Sequence, residues 1–227
     1  MTYKHTLRDH ESEEFAVVPS DVEKILRACE ETLGMETHDV PRIVPRPESS
    51  LVGLASSYRP KKGWIESESF EYQHNMFHEL VHYLMHQEDL LMTETVADDG
   101  PFLNLVYAHL IDETVAEFST YSTCGYNPNL ISSPFENKLA DALIDNVSTE
   151  EVEDCVLKLG KSPFLNPDYW TAIRVVAINN ATTLQVEPSE LVSRVIEAKE
   201  KYSSPIEIYH AITKNPDDLQ LEVLDDS

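Results

Sequence analysis

FEYQHNMFHELVHYLMHQ runs from Phe70 to Gln87, and its apolar residues Phe77, Leu80, Val81 and Leu84 recur with the period of one helical face. Inside it, His78-Glu79-Leu80-Val81-His82 spells H-E-x-x-H. A spacing of four turns the two imidazoles about 40° apart and stacks them one turn apart, as two ligands of one metal ion require. Neutral imidazole suits zinc. Glu79, one residue on, lies near the metal but offset from it, where a general base for a zinc-bound water belongs. The plain alternative is a helix whose histidines cap its edge or hydrogen-bond in the core. Context weighs against that: a β-prone run precedes an apolar helix whose polar face would be buried without metal or partners.

A third ligand is needed, and the sequence offers two routes. In metzincins a glycine bend brings a third histidine ten residues after the first; here those positions hold Met85 and Glu88, so that route fails. The other route takes a carboxylate from the next strong helix, predicted over Phe102 to Cys124 and closed by Gly125. There Asp112-Glu113-Thr114-Val115-Ala116-Glu117 sets Glu113 and Glu117 four apart on one face. One can bind zinc while the other holds a ligand histidine in place.

These two motifs resemble the gluzincin clan of zinc metallopeptidases, in particular its small members, the minigluzincins. Their pattern is a strand, an H-E-x-x-H helix and a glutamate helix of the form E-x-x-x-D or E-x-x-A-D. Carried over by position, the resemblance implies zinc held by His78, His82 and Glu113, with Glu79 as general base. Glu117 stands where the family more often has Asp, and so would support a ligand histidine. The resemblance covers roughly residues 51–125. It implies a zincin-like fold and hydrolysis of peptide bonds in a peptide or protein substrate. In the family the strand before the active helix is an edge strand that pairs with extended substrate, which here would be Trp64-Ile65-Glu66-Ser67-Glu68. The alternation of Trp64, Glu66 and Glu68 fits a half-exposed edge, and its acidity would favour basic substrate residues. The family's carbonyl-polarising Tyr or His has four candidates, Tyr107, Tyr121, Tyr126 and His210, and the sequence picks none of them.

Flanking histidines extend the pattern without joining it. His74 and His86 continue a four-residue ladder, but each step rises about 6 Å and drifts about 40°, so neither reaches the ion of His78 and His82. His109, one turn before Glu113, reads as a supporting or surface residue.

Outward from the motif, the chain reads as α+β: a small mixed sheet, the active-site helix, the glutamate helix and a helical C-terminal part. A helix starts at Ser20, with Glu23 completing a capping box, and stops at Gly34. Residues 1–18 read as a loose lead-in, and residues 37–50, with Pro41, Pro45 and Pro47, as an extended or looping connection. Leu51–Tyr58 and Gly63–Ser69 read as two strands joined by a turn at Arg59-Pro60-Lys61-Lys62. Further helices are predicted near 134–146, 148–159, 167–183, 188–202 and 205–213. Their starts are marked by Ser148 with Glu151, Asn166 before Pro167 and Ser204 before Pro205. An acidic tail that frays follows. This organisation implies a metallopeptidase core over 1–130 and a helical subdomain over 131–227.

Composition bounds the rest. The chain has 227 residues, 41% of them hydrophobic, enough for a sizeable core. No run approaches the ~18–20 apolar residues of a membrane span, and the polar start is unlike a secretory signal, so a cytoplasmic protein is the default expectation, with a processed mature form as the alternative. Cys29, Cys124 and Cys155 are widely spaced and odd in number, which predicts reduced, mostly buried thiols. Acidic residues number 41 against 17 basic, a net charge of −24, so a nucleic-acid partner is disfavoured. The same charge fits a solubilising surface, a salt-adapted protein or a basic partner. With six glycines, no phosphate loop and no G-x-S-x-G elbow, nucleotide and serine-hydrolase chemistry have no support. Two rivals to a zinc peptidase stand beside it: a non-catalytic metal-binding scaffold of the same build, and a proenzyme whose own terminal segment fills the cleft.

Overall fold

The computed structural model describes residues 20–37, 39–45, 56–67, 73–96, 101–124, 137–160 and 162–213. Its contacts divide the chain into two units, Met1–Asp89 and Leu90–Ser227. The architecture is mostly helical with a three-stranded mixed sheet, as the α+β reading expects.

In the first unit, α1 (Ser20–Leu33) buries Val22, Leu26, Cys29 and Leu33, the spacing of one helical stripe. It ends at Gly34, whose φ of 67° is the left-handed conformation that glycine adopts without a Cβ clash. The side chain of Ser20 lies outside the described residues, as do residues 1–18. Strands β1 (Arg42–Pro45), β2 (Ser56–Arg59) and β3 (Trp64–Ser67) form a sheet in the order β1-β3-β2. The turn between β2 and β3 is a short 3-10 helix, Pro60–Lys62, closed by Gly63 in the left-handed region. Helix α2 (Gln73–Gln87) packs against α1 and β2 and buries Phe77, Leu80, Val81 and Leu84.

Two expectations are corrected here. Residues 37–50 are not merely a connection: Arg42–Pro45 is a strand, parallel to β3 with Ile43 beside Ile65. Four residues flanked by prolines carry too little alternation to announce a strand, and pairing with β3 is what makes it one. Nor is Trp64–Ser67 an edge strand. It lies between β1 and β2, parallel to one and antiparallel to the other. Its alternation is real, with Ile65 and Ser67 buried and Trp64 and Glu66 half-exposed, but it reports the two faces of the sheet rather than an open edge. On the half-exposed face Glu66 is engaged locally: Arg59 Nε donates to its carboxylate at 3.0 Å and Trp64 Nε1 at 3.4 Å. Leu51–Ala55 and Glu68–Ser69 lie outside the described residues.

The second unit is built on α3 (Phe102–Cys124), which is buried nearly all round from Val106 to Thr120 and packs chiefly on α6 and α8. Around it run α4 (Lys138–Ile144), α5 (Thr149–Leu157), α6 (Pro167–Thr183), α7 (Pro188–Lys201) and α8 (Pro205–Thr213). The expected caps form at two starts. Ser148 and Glu151 make a reciprocal capping box, and Asn166 accepts from the amide of Asp168 just inside α6. Helix α4 is shorter than its pattern because Asn137 caps it, accepting from the amides of Leu139 and Ala140. Gly125, the 125–136 segment and the acidic tail after Thr213 lie outside the described residues. Of the three free cysteines, Cys29 is buried and Cys155 half-buried, whereas Cys124 is exposed, against the expectation of burial. No helix among the described residues is long and apolar enough to cross a membrane.

Candidate metal centre

Helix α2 carries His78 and His82 one turn apart, and their rings turn towards each other. The two Nε2 atoms are 3.1 Å apart, with ring centroids at 4.8 Å and planes at 78°. Two nitrogens bound at zinc distances in a tetrahedral site would lie about 3.3 Å apart, so the pair already has the separation of two ligands. The third candidate sits on α3: one ligand atom each from His78, His82 and the Glu113 carboxylate lie within 4.8 Å of one another. His82 is buried, while His78 and Glu113 are half-buried. Two imidazoles and a carboxylate, partly screened from water, are a donor set of the kind that holds a divalent metal ion. The residues are therefore a candidate metal-binding triad.

Glu79 is buried at 7% exposure, and the backbone N–H of Tyr58 in β2 donates to its Oε2 at 2.5 Å. The hydroxyl of Tyr58 is hydrogen-bonded to His86 Nδ1 at 2.7 Å. His86, read from the sequence as a flanking polar residue, thus has a specific partner.

On α3, Glu117 is 3% exposed and Arg174 of α6 donates to its Oε1 at 2.9 Å. Nothing in the sequence announced Arg174, 57 residues away. Asp112, within the acidic run, serves the preceding loop. Its Oδ1 accepts from the amide of Met92, and its Oδ2 accepts from the amide and the hydroxyl of Thr93. Those bonds close the 3-10 turn Met92–Glu94.

Of the remaining candidates, His109 and Tyr107 pack within the second unit. His109 Nδ1 is 2.8 Å from the Tyr169 hydroxyl and its ring stands edge-on to Trp170 and Phe164. Burial, reinforced by the nearby charge of Glu113, holds the Tyr169 phenol well above its usual pKa. Tyr107 is buried edge-on against Tyr209, with His210 alongside, and burial raises its pKa too. Tyr121 is exposed, and Tyr126 lies outside the described residues.

Compared with known proteins, the chain matches no family model, no curated protein and no solved structure. The structure is that of an α+β protein with a candidate metal-binding triad of His78, His82 and Glu113.

Proposed function

We propose that the chain is a zinc-dependent metallopeptidase of the gluzincin kind, holding zinc through His78, His82 and Glu113. The observation that carries this reading is the grouping of one ligand atom each from His78, His82 and Glu113 within 4.8 Å, beside a glutamate at the base position of H-E-x-x-H. Zinc, when bound, supplies Lewis acidity that polarises a peptide carbonyl and acidifies water. Glu79 accepts the proton from the attacking water at its carboxylate and then delivers it to the leaving amine. Burial suits Glu79 to this work, because a shielded carboxylate exchanges protons with the reactants rather than with bulk solvent. Glu117 supports the ligand arrangement from the next turn of α3, anchored by Arg174.

The test is cleavage of fluorescein-labelled casein and of a peptide library by zinc-loaded protein, by chelated protein and by Glu79→Gln. The proposal expects metal-dependent cuts that Glu79→Gln abolishes while its zinc content stays that of wild type. Cleavage by Glu79→Gln at the wild-type rate would exclude the mechanism. Stoichiometric zinc with no cut peptide would instead favour a metal-binding scaffold without catalysis.

A further inference from the structure

We propose that Tyr58 and His86 are positioning residues that aim the Glu79 carboxylate, a role that rests on reading Glu79 as the general base. Strand β2 has β3 on one side, with Tyr58 opposite Ile65. The Tyr58 amide donates to Glu79 Oε2 at 2.5 Å. A backbone donor in a paired strand has almost no rotamer freedom, so it fixes the carboxylate more tightly than a side-chain donor would.

The strand is held in turn at the Tyr58 side chain. Its hydroxyl meets His86 Nδ1 at 2.7 Å, and its ring stands edge-on to Tyr83, with centroids 5.8 Å apart and planes at 82°. Tyr83 is itself tethered, its hydroxyl donating to the carbonyl of Asp39 at 2.9 Å. Glu79, Tyr83 and His86 follow at i, i+4 and i+7, which brings all three within about 60° on one face of α2. That stripe lies about 90° round the helix from the one carrying His78 and His82. Helix α2 thus presents two stripes, one carrying His78 and His82 and one gripping β2 at Tyr58. The base belongs to the second stripe, so its direction is set by the sheet.

The experiment pairs amide hydrogen exchange at Tyr58 with casein cleavage, both on full-length zinc-loaded protein. The Tyr58 amide is expected to be protected in wild type and in Glu79→Gln, whose side-chain carbonyl still accepts. It is expected to exchange about tenfold faster or more in Glu79→Ala. Tyr58→Phe and His86→Leu keep the fold but release the clamp, and each is expected to lower kcat about tenfold with KM within about twofold. His86→Asn, which keeps a polar atom near the Nδ1 position, is expected to recover most of kcat. Wild-type kcat in both Tyr58→Phe and His86→Leu, or Tyr58 exchange indifferent to Glu79→Ala, would overturn the proposal. The expected exchange pattern without any casein cleavage would support the positioning contact and count against the hydrolytic reading alone.

Discussion

Arg174 reaches from α6 to the buried carboxylate of Glu117 on α3, Nε to Oε1 at 2.9 Å, and so ties the glutamate helix to its main packing partner. The Glu117 side chain is 3% exposed and that of Arg174 40%. The cost of desolvation therefore falls mainly on Glu117, and the pair matters more for what its loss would leave behind than for its own net attraction.

Arg174→Met is accordingly expected to lower the unfolding free energy by about 2 kcal/mol, below the full value of a wholly buried pair because Arg174 is part-solvated. The double variant Arg174→Met/Glu117→Gln should recover part of that loss, since no charge then remains buried. Urea denaturation of the four proteins of this cycle measures it, and additive single effects would show that the contact contributes nothing specific.

Elemental analysis of the purified wild-type protein should give one zinc per chain, with His78→Ala and His82→Ala losing it and Glu113→Ala binding weakly. Glu113→Ala that keeps wild-type affinity would remove α3 from the metal site. Removing the metal with a chelator should lower the melting temperature of wild type and leave that of His82→Ala unchanged, because only a species that binds zinc when folded gains from it.

Asp112 closes the turn before α3 with three accepted hydrogen bonds while only 3% exposed. Asp112→Ala should destabilise by about 2–3 kcal/mol, and Asp112→Asn by less, since one oxygen can still accept. Hydrogen exchange at Met92 and Thr93 should accelerate in both. Unchanged exchange would mean that the turn holds itself.

Alkaline pH should weaken the second unit. Burial is the main cause raising the Tyr209 pKa to about 12, partly offset by the hydrogen bond from Asn180 and aided by the neighbouring Tyr107. A phenol whose pKa is higher folded than unfolded keeps its proton longer in the native state. Its stabilising contribution is intact below pH 10 and is lost as pH rises from 10 towards 12, a change of about 3 kcal/mol at most. In Tyr209→Phe this part of the pH dependence should vanish. Urea titrations at pH 9 and 11 compare the two proteins, and equal slopes would assign the alkaline loss to other groups.

Local chemistry wrote much of this protein into its sequence. The periods of α1, α2 and α3, the stop at Gly34, the capping box at Ser148 and the start at Pro167 all follow from neighbours within a turn or two, where backbone sterics and hydrogen bonding act directly. The two imidazoles are likewise set by helical geometry, because a spacing of four permits no other arrangement. What tertiary structure alone decided lies at long range. The four residues Arg42–Pro45 are a strand because β3 lies beside them, and Trp64–Ser67 is central because both neighbours pair with it. The grip of Tyr58 on Glu79 and that of Arg174 on Glu117 join residues 21 and 57 positions apart. A side chain's residue type records what it can bond to, but which partner it finds depends on how the packed elements bring distant backbone together, and no local period encodes that.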